Sequence, residues 1–304
     1  MNDCIWLNGE IIPASEARLS VEDRGFQFAD GVYEVLRLYN GQPFAQRAHL
    51  ARLEQSARGI QLGLPISTVL LANEIGKLTV ASGVRDGMIY LQLTRGQAPR
   101  NHVFPADAQQ TLLFYARPLP PIPAPGNGPG ARLLAVKDER WHRCWIKAIA
   151  LLPNVLAKNE AVAAGADEAV FVDSGVVSEC AASNLFAVID GRLVTHPVGS
   201  RVLPGITRAV LLECAKSLDM AVEERALGEK ETVGADELFI TSTTREVSWV
   251  GTWNEQPVGS GKCGPITQAL HEALRERVAM ETDAITTPDS FHTPRGSGHL
   301  HTSF

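Results

Sequence analysis

The sequence predicts an α/β (α+β) protein of two domains. Segments with strand-like alternation and segments with helical stripes are interleaved along the chain. A proline- and glycine-rich run at residues 118–130 interrupts them near the middle; such a run fits neither a helix nor a central strand. The chain has 304 residues, enough for two domains or one large one. The expected division is a small N-terminal domain over 1–118, a linker over 119–130, a large domain over 131–284 and a polar, disordered tail over 285–304.

Residues 5–7 and 10–12 read as strands around the tight turn Asn8-Gly9. The turn formers of 22–31 lead into a strand at 32–39. Its alternation sends Tyr33, Val35, Arg37 and Tyr39 to one face and Val32, Glu34, Leu36 and Leu38 to the other. Leu50, Leu53, Ala57 and Ile60 mark a helix over 49–60, with Arg52 opposite the stripe, and a second helix covers 67–81. Strands follow at 88–94 and 111–116, separated by a loop at 95–105. In the second half, strands are expected at 132–136, 168–172, 185–189, 237–241 and 249–253. Helices are expected at 154–165, from Gly205-Ile206-Thr207 to Leu218, and at 265–280. The segment 177–184 reads as turn-rich.

Composition excludes several classes. A net charge of −6 with scattered basic residues gives no reason to expect nucleic acid. No run of eighteen apolar residues offers a membrane span, and the N-terminus lacks the pattern of a signal peptide, so the expected location is cytoplasmic. The five cysteines, Cys4, Cys144, Cys180, Cys214 and Cys263, show no metal-binding spacing and suit a reducing compartment.

Lys147 stands in an aromatic and apolar segment, Trp141 to Leu152. A lysine there loses hydration in its charged form and tends towards a neutral, nucleophilic amine. Such amines form Schiff bases with carbonyls or pyridoxal phosphate. Taken alone, the segment better fits a lysine whose stem lies along the core and whose ammonium reaches water; the rest of the chain reverses that. Three other features suit a phosphorylated aldehyde. Gly205-Ile206-Thr207 offers amides and a hydroxyl at the positive end of a helix. Ser242-Thr243-Thr244 ends a strand with more hydroxyls. Glu179, in a turn before a strand, is a candidate acceptor for a pyridinium nitrogen.

Their order and spacing resemble the fold-type IV pyridoxal-phosphate enzymes, and among them the bacterial D-amino-acid aminotransferases. The likeness runs from Trp6 to about Met280. It includes residues 22–35, Thr94-Arg95-Gly96 through Pro105, Arg140 to Lys147, Pro204 to Arg208 and Thr241 to Thr244. It implies a large domain built on a β-barrel-like sheet with helices, and a homodimer whose active site lies at the interface. It makes Lys147 the residue that binds pyridoxal 5'-phosphate covalently and moves the proton. Glu179 would face the ring nitrogen, and Leu203 would pack on the ring. Arg140 would lie near the phenolic oxygen. Arg52, Ile206, Thr207, Ser242 and Thr243 would complete the cofactor site, with Arg52 on the phosphate.

On the substrate side, the resemblance implies that Arg100 and His102 of one subunit grip the carboxylate in the other, together with Tyr33; His49 joins this substrate-binding set. The reaction implied is ping-pong transamination of D-amino acids, D-alanine and 2-oxoglutarate giving pyruvate and D-glutamate. The alternatives are a branched-chain L-amino-acid or (R)-amine transaminase, or an aminodeoxychorismate lyase. The sequence departs from the family at Cys180-Ala181-Ala182-Ser183, where a glycine- and serine-rich turn is expected. Leu151-Leu152 stands where the branched-chain enzymes have a tyrosine. Trp145 is an unusually bulky residue two before the lysine, and the sequence offers no account of it.

Overall fold

The computed structural model describes residues 3–123 and 126–283; the tail expected to be disordered lies outside them. The chain begins with the hairpin β1 (Cys4–Leu7) and β2 (Glu10–Pro13), then α1 (Arg24–Phe28), β3 (Gly31–Tyr39) and β4 (Gln42–Pro43). Helices α2 (Gln46–Gly59) and α3 (Thr68–Ser82) precede the long hairpin β5 (Gly87–Gln97) and β6 (Gln109–Pro118). These strands form one sheet in the order β2-β1-β6-β5-β3-β4. The alternation along β3 decides which face is covered. Val32, Leu36 and Leu38 pack under α2 and α3 with Leu50, Leu53, Leu71, Ile75 and Phe114. Each such buried side chain contributes about 1.5–3 kcal/mol. On the other face Tyr33, Tyr90 and Tyr115 stack in a row, with ring centroids 5.8 and 5.3 Å apart.

The second half contains β7 (Ala131–Lys137), α4 (Leu152–Ala163), β8 (Glu168–Asp173), β9 (Val176–Cys180), β10 (Asn184–Ile189) and β11 (Arg192–Thr195). It continues with α5 (Ile206–Ser217), β12 (Val222–Glu224), β13 (Leu227–Gly228), α6 (Glu229–Val233), β14 (Glu237–Ser242), β15 (Glu246–Trp253), β16 (Gln256–Pro257) and α7 (Pro265–Asp283). The sheet order is β12-β11-β10-β14-β15-β7-β8-β9-β13, with β16 beside β15, and the sheet curls into a half-barrel. Parallel β7 and β8 are joined through α4, the crossover that parallel pairing requires. Leu133, Val170, Leu185, Ile240 and Trp253 fill one core cluster. Phe186 and Phe239, stacked at 4.9 Å, face Leu211, Leu270 and Leu274 of α5 and α7 in another.

Several expectations change. The turn formers of 22–31 enclose the short helix α1, because the Asp23 side chain accepts from the Gly25 amide and caps it. Segment 177–184 is turn-rich only at its end: β9 carries Glu179 on a strand, paired to β8. Strands of two to four residues, such as β11 and β12, are too short to reveal a period in sequence. The segment around Lys147 docks on the first sheet although it follows β7. The Tyr33 amide donates to the Lys147 carbonyl at 3.0 Å and the Ile149 amide to the Gly31 carbonyl at 3.1 Å. Ile146 and Ala148 belong to the first sheet's core, and Trp145 packs against it. No helix among the described residues is long and apolar enough to cross a membrane.

Candidate active site

A cavity of about 440 Å³ is lined by residues of both halves of the chain. Strand β3 contributes Tyr33 and Val35, α2 contributes Arg52, and the segment before α4 contributes Arg140 and Lys147. Glu179 comes from β9, Leu203, Ile206 and Thr207 from the start of α5, and Ser242 and Thr243 from the end of β14. Sequence-distant residues meet because the Lys147 segment is laid along β3.

Lys147 Nζ lies 4.2 Å from the centroid of the Tyr33 ring, and the Lys147 backbone amide donates to Ser56 Oγ at 3.1 Å. Trp145 sits over the end of α2, where a Cβ on Gly59 would come within 2.7 Å of its ring. Glycine there leaves room for the indole, which wedges the lysine segment against α2.

Arg52 is buried and committed on two sides. Its Nε and Nη2 donate to the two Glu34 oxygens at 2.7 and 3.0 Å, and Nη1 donates to the Pro204 carbonyl at 2.9 Å. Burial would raise the Glu34 carboxyl, but Arg52 and His49 hold it far below the usual carboxylate range. His49 lies behind this pair, 2.9 Å from Glu34, and does not line the main cavity. Burial lowers its own basicity. It touches Glu34 in this structure and is not placed to touch a substrate there.

Glu179 is the second buried carboxylate. Arg140 Nη1 donates to its Oε1 at 2.5 Å; the Asn184 amide and the Leu203 backbone N–H donate to Oε2 at 3.1 and 3.0 Å. Burial pushes its carboxyl up to about 7, while Arg140 pulls the other way. Arg140 in turn is forked onto Asp138 at 3.0 and 2.9 Å. It therefore braces Glu179, a contact the sequence did not indicate. Cys144 and Cys180 also line the cavity. Burial raises both thiols, Cys144 to about 11, so neither presents a thiolate.

Arg100 and His102 do not reach this cavity. They stand exposed on the β5–β6 loop beside Phe28: the Arg100 guanidinium is 4.9 Å and the His102 ring 5.2 Å from its centroid. Sequence reading missed Glu34, Asp138, Asn184 and Phe28. Alternation puts Glu34 on the buried side of β3, which is a usable signal; the partners of the other three depend on chain segments remote in sequence.

Residues 31–253 match the family described as Amino-transferase class IV. The D-alanine aminotransferase of Bacillus licheniformis is 39% identical over 278 residues, 91% of this chain and 98% of that protein. The D-alanine aminotransferase of Listeria monocytogenes serotype 1/2a (strain 10403S) is 40% identical, over 90% and 96%. Among solved structures, the Escherichia coli branched-chain amino acid aminotransferase superposes with a TM-score of 0.84 at 27% identity, covering 96% of this chain and 97% of that one. A second branched-chain amino acid aminotransferase, from T.th. and solved with pyridoxamine 5'-phosphate, also gives 0.84, at 28% identity over 93% and 97%. This chain belongs to the class IV aminotransferases. It is a pyridoxal-phosphate-dependent aminotransferase.

The cavity fits that cofactor. Its wall holds a guanidinium, Arg52, and the start of α5, whose N-cap Gly205 supplies no side-chain bond to the first-turn amides. Together they suit a phosphate. A carboxylate has about four acceptor positions, and Glu179 uses three of them on protein donors, leaving Oε1 able to accept one more. The Ser183 and Thr241 hydroxyl oxygens are buried in the wall without a partner among the described residues, as expected where a polar ligand supplies it.

Proposed function

We propose that this chain transaminates D-amino acids, with D-alanine and 2-oxoglutarate giving pyruvate and D-glutamate, as a cytoplasmic homodimer. The observation that carries the reading is the meeting of Lys147, Glu179 and Arg52 on one cavity. The anchored pair Arg100 and His102 stands outside it, free to serve a second copy. The names of the Bacillus and Listeria relatives support D-alanine as donor.

Pyridoxal phosphate, when bound, supplies an electron sink that stabilises negative charge at the substrate Cα. The chain's residues do the rest. Arg52, Ile206, Thr207 and Thr243 would bind the phosphate end, Ser242 would complete the cofactor site, and Leu203 would pack against the ring. Glu179 would accept from the ring nitrogen, and Arg140 holds Glu179 in place. The Lys147 amine would anchor the cofactor and, once displaced by the substrate amine, would carry the proton from the substrate Cα to the cofactor carbon within the first half-reaction; the second would run the same transfer in the opposite direction. Arg100, His102 and Tyr33 fix the carboxylate, the guanidinium supplying a planar fork and the others its orientation. The position of that anion decides which Cα hydrogen faces Lys147.

The closeness to branched-chain aminotransferase structures gives a competing reading, acting on L-amino acids. It is countered by Leu151 on the cavity wall, at the place where the resemblance implies a tyrosine for that branch. A half-reaction without keto acid separates the two. D-alanine is expected to bleach the long-wavelength absorption of the bound cofactor, and L-leucine to leave it. The reverse result would mean a branched-chain enzyme, and absence of the band after adding pyridoxal phosphate would remove Lys147 from its role.

A further inference from the structure

The β5–β6 loop is not a free surface loop. Arg24 is only 3% exposed. Its Nη1 donates to the carbonyl of Asn101 and, at 3.4 Å, to that of Val103, the two carbonyls flanking His102. Its Nε donates to Asp30 at 2.8 Å. Asp30 also receives Arg95 Nε and Nη2 at 2.8 and 3.0 Å, and the Arg95 guanidinium lies 3.7 Å from the centroid of Phe104. Both ends of the segment 101–104 are thus tied to one aspartate through two buried arginines.

Phe28 completes the arrangement. Its ring has the Arg24 guanidinium 4.9 Å from its centroid, the Arg100 guanidinium at 4.9 Å and the His102 ring at 5.2 Å. Helix α1, which carries both Arg24 and Phe28, is locked by Asp23. One oxygen of Asp23 accepts from the Gly25 amide at 2.7 Å, the other from Thr94 and Thr111 hydroxyls at 3.0 and 2.6 Å. A chain of contacts therefore runs from the hairpin β5–β6 through α1 to the two side chains at the loop tip.

We propose that Arg24 and Phe28 are positioning residues that hold Arg100 and His102 ready to bind a substrate carboxylate. This rests on the reading of Arg100 and His102 given above. A ready-made pair binds an anion without first ordering two mobile side chains and a loop, and that ordering is the usual penalty of loop sites. Arg24 acts on the backbone around His102, and Phe28 acts on the two side chains directly. Neither residue lines the cavity that holds Lys147.

The test uses the cofactor-loaded enzyme and compares Phe28→Leu, Arg24→Gln, Arg24→Lys and Arg100→Ala. Two quantities are read: KM and limiting rate for D-alanine, and the inhibition constant of propionate, which has the carboxylate but no amine to react. Phe28→Leu is expected to raise KM and the propionate constant about two- to fivefold, the range of an exposed cation–ring contact, with the limiting rate unchanged. Arg24→Gln is expected to raise both by more, and Arg24→Lys to restore part of the loss. In an Arg100→Ala background, Phe28→Leu is expected to add little, because the group it positions is gone. Should Arg24→Gln fail to fold, Phe28→Leu, whose ring is half-exposed, decides alone. If Arg100→Ala raises both constants while Phe28→Leu leaves them at wild-type values, the positioning role is wrong. If Arg100→Ala itself changes neither constant, the carboxylate-binding reading fails and this inference with it.

Discussion

Glu34 and Glu179 are both buried, yet they are shifted in opposite directions: neighbouring donors outweigh burial at Glu34, and burial outweighs them at Glu179. Glu34 meets two cationic or donor partners, Arg52 and His49, and titrates far below its unfolded value of 4.5. Its stabilising contribution is therefore complete above about pH 4.5 and is lost as the pH falls below it. Glu34→Gln leaves Arg52 buried without its partner and is expected to cost about 3–5 kcal/mol at neutral pH. The difference from wild type should shrink in acid, as denaturant unfolding across that range would show. Glu179 is raised to about 7, above the same unfolded value of 4.5. Its effect on stability is most favourable below pH 4.5 and is lost as the pH climbs to about 7. Glu179→Gln should remove that fall in the cofactor-free protein; an unchanged slope through the window would mean Arg140 keeps Glu179 ionised throughout.

The turn into α5 decides the geometry of the cofactor site. A Cβ on Gly205 would collide with Asn184 Oδ1, and the Asn184 amide bonds both Glu179 and the Leu203 carbonyl. Gly205→Ala should therefore displace Asn184, the start of α5 and the carboxylate together. Overpacking of this kind amounts to about 1–3 kcal/mol, so cofactor affinity is expected to fall roughly tenfold while the far-UV spectrum is retained. Wild-type affinity for pyridoxal phosphate, measured by titration, would show that the turn has room to relax. The same reasoning accounts for the Cys180-Ala181-Ala182-Ser183 turn. It is closed by backbone bonds, Cys180 N–H to the Ser183 carbonyl at 2.8 Å and Ala181 N–H to the Ala169 carbonyl at 2.9 Å, so its shape does not depend on the missing hydroxyls.

The whole molecule carries an exposed apolar surface beside the Arg100 loop: Phe26, Val103 and Phe104 are 80%, 72% and 48% exposed. Such a patch next to two cationic or titratable side chains suits a face covered by another copy. If the cavity of one copy uses Arg100 of the other, an inactive variant and a weakly binding one should complement each other at low D-alanine. Lys147→Ala and Arg100→Ala proteins, unfolded together and refolded as a mixture, are expected to regain part of the wild-type rate. Each mixed dimer then contains one intact site. No recovery, with dimers present by light scattering, would place the carboxylate partner elsewhere.

Much of this was legible in one dimension. Alternation placed β3 with its buried and open faces, the stripe of Leu50, Leu53 and Ala57 placed α2, and Gly205-Ile206-Thr207 marked the start of α5, because periodicity and capping are local properties of the chain. The order of Lys147, Glu179 and the residues proposed to bind phosphate was likewise a matter of sequence. What only the tertiary structure decided was which groups touch. Arg52, read from its helix as opposite the apolar stripe, is buried because Glu34, on another element, meets it across β3 and α2. Glu179 lies on a strand because β9 pairs with β8, and it is braced by Arg140 from a segment remote in sequence. Arg100 and His102 are ordered by Arg24 and Phe28 on a distant helix. Local pattern follows from the chain's own repeat distances, whereas burial, ionisation and positioning depend on neighbours that only folding brings together.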